Sequence, residues 1–150
     1  MQGQNIAIVD QVIDNALADF LFRLMKDAEW ERNFNAHSIY PGRKGALLAF
    51  SGEGRELSDI VAFMTYIFGE DDPQANFMVN VLYVLPDHRG QGIGEQLMRY
   101  ASDMAVKAGS VEFGLHVKEA NTPMRKMLDK LRLDQEPYRY NLILVPEPVF

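Results

Sequence analysis

One stretch constrains the fold more than any other. Residues 77–85 form an apolar run that closes at Pro86, and an amphipathic run begins at Ile93. Between them stand Gly90, Gly92 and Gly94. Proline cannot donate to a strand ladder, so the strand has to end there. Ile93, Leu97, Ala101, Met104, Ala105 and Ala108 recur at helical spacing, and Gly109 suits the residue after the last turn. The rest of the chain must fold around this strand, glycine loop and helix. A turn alone needs one glycine. Three of them let successive backbone amides curl toward one anion at the positive end of the helix dipole. Arg89 adds a positive charge at the edge of that seat, and a pyrophosphate would suit it.

The other elements follow from periodicity. Residues 5–9 read as a first strand. Asp10 is placed to cap a helix over about 11–34. Its apolar positions include Val12, Ile13, Leu17, Phe20, Leu21, Leu24 and Met25, and a break is expected near Trp30. Residues 35–44, with Pro41 and Gly42, predict a loop. Residues 45–50 and 58–68 predict a hairpin around Gly52 and Gly54, and residues 69–73 a turn. Residues 111–117 read as a strand. Asn121, Thr122 and Pro123 open a helix whose apolar face carries Met124, Met127, Leu128 and Leu131. Residues 138–145 read as the last strand. Hairpins come first and crossovers later, which predicts an α/β fold with a mixed sheet and helices on its faces. No repeat, low-complexity tract or linker divides the chain, so residues 1–150 are expected to form one domain.

Composition narrows the function classes. The net charge of −6 argues against a broad basic face for nucleic acid or anionic lipid. It suits a cationic or neutral small substrate. There is no cysteine, hence no disulfide, thiolate metal site or cysteine nucleophile. His37, His88 and His116 form no metal-binding pair spacing, and no metal is expected. No apolar stretch is long enough to span a bilayer and no signal peptide opens the chain, so a cytoplasmic domain is the expectation. The apolar tail over residues 146–150 hints at docking on the domain or on a second copy, as in a homodimer.

Two familiar phosphate loops do not fit. A P-loop needs Lys and then Ser or Thr after its last glycine, and Glu95 follows Gly94. The dinucleotide fingerprint needs a third glycine where Glu95 stands. The stretch Arg89-Gly90-Gln91-Gly92-Ile93-Gly94, preceded by Leu82-Tyr83-Val84-Leu85-Pro86, instead resembles the cofactor motif of the GNAT acetyltransferase superfamily. Leu115-His116-Val117 with Asn121 resembles the strand and asparagine that follow it there. The resemblance is strongest over residues 77–121. It implies a GNAT-like fold with a central mixed, mostly antiparallel sheet flanked by helices. It also implies acetyl-CoA as co-substrate and N-acetyl transfer to a small-molecule or peptide amine. By the same resemblance, the backbone of Leu82, Tyr83 and Val84 would pair with the pantetheine arm. The loop Arg89, Gly90, Gln91, Gly92, Ile93 and Gly94 would hold the pyrophosphate, and Asn121 would touch the cofactor. A bulge in the strand over 77–85 would splay it from the next strand, and an amide near Val84 would polarise the thioester carbonyl.

The catalytic groups are less defined. Where many members of the superfamily carry a tyrosine proton donor, this chain has Leu128. Tyr138 and Tyr140 are candidate substitutes. Asn80, on the strand before the expected thioester site, is a candidate to orient a water. Glu70, Asp71 and Asp72 suit either a cationic substrate or a solvated turn. Leu128 also motivates a rival reading, an acyl-CoA-binding sensor or regulatory module with little catalysis.

Overall fold

The computed structural model describes residues 5–25, 43–68, 76–110, 112–119 and 121–145. The elements are β1 (Ile6–Val12), α1 (Asn15–Leu24), β2 (Arg43–Ser51), β3 (Ile60–Phe68), β4 (Asn76–Val84), α2 (Ile93–Lys107), β5 (Glu112–Lys118), α3 (Thr122–Leu131) and β6 (Tyr140–Val145). The six strands lie in one sheet in chain order. β1 to β4 are antiparallel neighbours, whereas β4–β5 and β5–β6 are parallel. Parallel neighbours need crossovers, and α2 and α3 supply them. The sheet is therefore mixed and the fold α/β, as the element order predicts.

Each face of the sheet is buried under helix. α2 and α3 cover one face with Ile93, Leu97, Met98, Ala101, Leu128 and Leu131, which pack on Met64, Tyr66, Phe77 and Val79. α1 covers the other with Leu17, Leu21 and Met25, over Leu48, Phe63, Val81 and Tyr83. Val79 and Val81 thus face opposite sides, although residues two apart on a regular strand share a face. The pairing explains this. Thr65 pairs with Val81 and Tyr66 with Val79, which leaves Asn80 without a partner on β3. Asn80 is the extra residue of a β-bulge.

The bulge has a consequence on the other edge of β4. β4 and β5 pair from Asn76–Glu112 only to Val79–Leu115. Beyond that point β5 continues to Lys118 beside β6 alone. From Asn80 to Val84 the two strands part, and the sheet is split.

Several sequence expectations shift. The first strand extends to Val12, and the α1 cap is Asp14 rather than Asp10. The Asp14 carboxylate accepts the amide of Leu17 at 2.8 Å. Asp10 stays in the strand, where its carboxylate accepts the Tyr66 hydroxyl at 2.6 Å. Val12 pairs with Gly45 and is exposed, so it belongs to no helix face. Periodicity misled there because the apolar positions of strand end and helix start run together. The second hairpin strand begins at Ile60, after a short 3₁₀ turn over Leu57–Asp59. α1 ends at Leu24. Trp30, Phe34, His37, Glu70, Asp71, Asp72, Val111 and the tail over 146–150 lie outside the described residues. No helix among the described residues is long and apolar enough to cross a membrane.

On β6, Tyr140 has a buried hydroxyl with no hydrogen-bond partner among the described residues. Burial, then the charges of Asp129 and Asp134, push its pKa from 10.0 up to about 12. The folded state holds this proton more tightly than the unfolded chain, so its contribution to stability is full below pH 10 and lost toward about pH 12. Tyr140→Phe is expected to cost little at neutral pH and to flatten the alkaline loss, as read by urea midpoints across that window.

Candidate active site

The split in the sheet presents backbone. The amide of Leu85 donates to the carbonyl of Val61 on β3 at 3.0 Å. Hydrogen-bonding direction alternates along a strand, so Tyr83 and Val81 also turn their polar groups to β3. Leu82 and Val84 turn theirs the other way, into the gap that β5 leaves. The side chains of Leu82 and Val84 pack toward the α2–α3 layer, and Tyr83 packs under α1.

At the open end of the split the chain turns through a short 3₁₀ segment, Pro86–His88, into the glycine loop. Gly90 and Gly92 both have φ near +80, a region that favours glycine. Gly92 is the N-cap of α2 and provides no side-chain cap. No described residue lies within 4 Å of where its Cβ would stand. The first turn of a 15-residue helix thus opens onto space with its amides unmasked by a side chain. At Gly94 a Cβ would sit 3.6 Å from Met127 Sδ and 3.8 Å from Val84 Cγ2, so loop, split and α3 meet there.

A cavity of about 530 Å³ joins these parts. Of the ten residues that the sequence points to for the cofactor, all but Gln91 line it. It is closed by His88, Glu95, Pro123, Met124 and Met127. Asn121 takes part mainly as a cap: its side-chain oxygen accepts the amide of Met124 at 3.3 Å. It is the N-cap of α3 and stands at the cavity rim. Met124 and Met127 were legible as a helix face but not as a cavity wall. Their apolar periodicity does not separate core from cleft, and their adaptable thioethers serve either. Glu95, in the first turn of α2, pairs with Lys130 of α3 at 3.0 Å and ties the two helices beside the cavity.

Asn80 and His116 occupy equivalent places at the foot of the split. They are the first residues on β4 and β5 beyond the last pair, Val79–Leu115. Both are exposed. Leu115 and Val117 are buried in the α2–α3 layer, so His116 between them faces the opposite side of the sheet. Tyr138 is elsewhere. Its hydroxyl donates to Asp103 at 2.8 Å, and it lines a separate cleft with Ser102, Val106, Ser110 and Pro137. The structure does not bring Tyr138 to the split, nor Tyr140, which lines another cleft with Asp134 and Asn141.

Leu128, at the position of the usual tyrosine, is 3% exposed and belongs to the core under α3. Leu128→Tyr is therefore expected to cost about 1–3 kcal/mol by overpacking, read from urea unfolding, and to bring no gain in acetyl transfer.

Residues 10–132 match the profile of the Acetyltransferase (GNAT) family. The chain belongs to that family. Solved structures of similar fold agree. A ribosomal-protein-alanine N-acetyltransferase from Brucella melitensis biovar Abortus 2308 aligns with TM-score 0.59 and 18% identity, over 85% of this chain and 90% of that one. An aminoglycoside N-acetyltransferase in complex with CoA aligns with TM-score 0.60 and 14% identity, over 99% and 94%. A putative acetyl transferase from Pyrococcus furiosus aligns with TM-score 0.62 and 18% identity, over 97% and 100%. No curated protein matches the chain in sequence. At these identities the structural likenesses speak for the fold, and the family match speaks for an acetyltransferase domain.

Proposed function

We propose that this GNAT domain transfers an acetyl group from acetyl-CoA directly to an amine of a small molecule or peptide. The observation that carries the reading is the split between β4 and β5, opening onto the glycine-capped start of α2. The residues fit the co-substrate. Backbone groups of Leu82 and Val84 face the gap as one edge of an unfinished ladder, suited to an extended arm that carries amides. The loop from Arg89 to Gly94 leads to the unmasked amides of α2, suited to a pyrophosphate. Bound acetyl-CoA supplies an activated acyl group whose thiolate departs readily. The Val84 amide lies at the glycine-loop end of the split and suits a carbonyl of the arm; the thioester belongs further down β4, so the polarising role expected of an amide near Val84 is not assigned to it.

An arm anchored at the glycine loop runs down β4 toward Asn80, so the reactive end belongs at the foot of the split. An amine there has to lose a proton to attack. His116 is the side chain we assign to take it, directly or through a water oriented by the Asn80 amide. Histidine is the side chain most often used for such a proton transfer. With Leu128 in the core and both tyrosines in other clefts, we assign no side chain as proton donor to the departing thiolate. His116→Gln is expected to lower kcat about a hundredfold or more while leaving acetyl-CoA affinity unchanged, measured by CoA thiol release and titration calorimetry. An unchanged kcat would remove His116 from the chemistry.

The acceptor is addressed by a panel of amines, including aminoglycosides and N-terminal peptides, with thiol release as readout. The similar structures include a ribosomal-protein-alanine N-acetyltransferase and an aminoglycoside acetyltransferase. The acidic net charge of −6 favours cationic amines over nucleic acid. The rival reading, an acyl-CoA-binding module with little catalysis, draws on the buried Leu128. Acetyl-CoA binding with no release across the panel would support it, and amine-dependent release would end it.

A further inference from the structure

We infer that Arg89 is a positioning residue for the cofactor arm and not a phosphate ligand. This rests on the reading of the split as the acetyl-CoA site. Sequence alone places Arg89 as a positive charge at the rim of an anion seat. At the cavity wall the structure engages the guanidinium with the end of β4. Its Nε donates to the carbonyl of Val84 at 2.8 Å. Its guanidinium carbon lies 5.3 Å from the centroid of the Tyr83 ring. The ring belongs to the layer under α1, on the far side of the sheet from α2. Arg89 thereby clamps the end of β4 from both its edge and its face.

The carbonyl it holds matters. Leu82 and Val84 are the two residues of β4 whose polar groups enter the split above the bulge. With the Val84 carbonyl accepting from Arg89, the Val84 amide and both groups of Leu82 remain toward the gap. An arm docking there meets a fixed pattern: a donor at Val84, then a donor and an acceptor at Leu82. Amide N–H groups of the arm are steered to the Leu82 carbonyl, and carbonyl oxygens are steered to the two β4 amides. The pattern admits one register, so Arg89 fixes how far down the split the reactive end reaches. A hydrogen bond from a charged donor is among the stronger ones available for this task. The planar Nε and the stacked face are properties that lysine lacks.

The test measures binding of two probes, acetyl-CoA and adenosine 3′-phosphate 5′-diphosphate, which carries a pyrophosphate and no pantetheine arm. Wild type, Arg89→Met and Arg89→Lys are compared by titration calorimetry, with thermal unfolding checked for each. The expected result is that both variants lose about tenfold in acetyl-CoA affinity and stay within about twofold of wild type for the armless nucleotide. Equal losses for the two probes in Arg89→Met, or restoration of acetyl-CoA affinity by lysine, would make Arg89 a phosphate contact and overturn the inference. Undiminished acetyl-CoA affinity in both variants would overturn it as well. Failure of wild type to bind acetyl-CoA would instead strike the proposed function itself, and this inference with it.

Discussion

Gly92→Glu is expected to abolish acetyl-CoA binding, with an affinity loss of about a hundredfold or more. Two effects combine. A carboxylate would stand where the proposed site brings a pyrophosphate to the amides of α2, and like charges about 4 Å apart repel by roughly 4 kcal/mol near a protein surface before solvent screening. The residue would also have to hold the left-handed backbone that Gly92 adopts at φ 80. That conformation costs a side-chain-bearing residue roughly 1–2 kcal/mol. The second effect lowers stability without touching the ligand, so it needs a control. Gly109, at the other end of the same helix, has φ 74 and likewise has no described residue within 4 Å of its Cβ position. Gly109→Glu carries the same backbone strain and adds a charge unfavourable to a helix C-terminus. It is expected to lower the unfolding midpoint at least as much as Gly92→Glu while leaving acetyl-CoA affinity intact. Equal affinities for Gly92→Glu and wild type would show that the loop does not seat the pyrophosphate.

Deletion of Asn80 is the second large effect, and it acts on architecture rather than charge. Asn80 is the inserted residue that sends Val79 and Val81 to opposite faces. Without it, Val79 and Val81 become sequence neighbours, which face opposite sides on any regular strand. Every core side chain of β4 therefore keeps its face. The deletion is expected to fold, with stability within about 2 kcal/mol of wild type by urea unfolding. It removes the local bend that parts β4 from β5, so pairing runs on past Val79–Leu115 and the split closes. Saturating acetyl-CoA should stabilise wild type by about 2.7 kcal/mol at a hundredfold excess over Kd and leave the deletion variant unmoved. A folded deletion variant that still binds acetyl-CoA would mean that the arm does not enter the split.

Much of this was readable from residues, for identifiable reasons. Pro86, the alternating glycines and the spacing from Ile93 each act locally, so strand end, loop and helix start emerged in the right places. The same holds for the Asn121–Pro123 helix start, where cap and proline are adjacent. The bulge is different. The apolar residues Phe77, Val79, Val81 and Tyr83 alternate without a break, and period two alone puts all four on one face. The resemblance implied a bulge in this strand, yet only pairing with β3 locates it at Asn80. Asp10 shows the same limit. Its position suggests a local cap, but its carboxylate accepts from Tyr66, fifty-six residues away. In the sequence Arg89 is only a charge, whereas its contacts with Val84 and Tyr83 are fixed by how the chain folds back at the loop. His116 carried only an alternation signal; the register of β4 and β5 gives it a place opposite Asn80.

The central claim is that the β4 edge left open by the split receives the pantetheine arm. Site-resolved amide exchange of β4, with and without acetyl-CoA, tests it most directly. The amides of Leu82 and Val84 are expected to slow strongly on binding. Those of Val81 and Tyr83, already committed to β3, should change little by comparison. Protection confined to other elements, or a β4 strand whose exchange is the same with and without acetyl-CoA at saturation, would contradict the account.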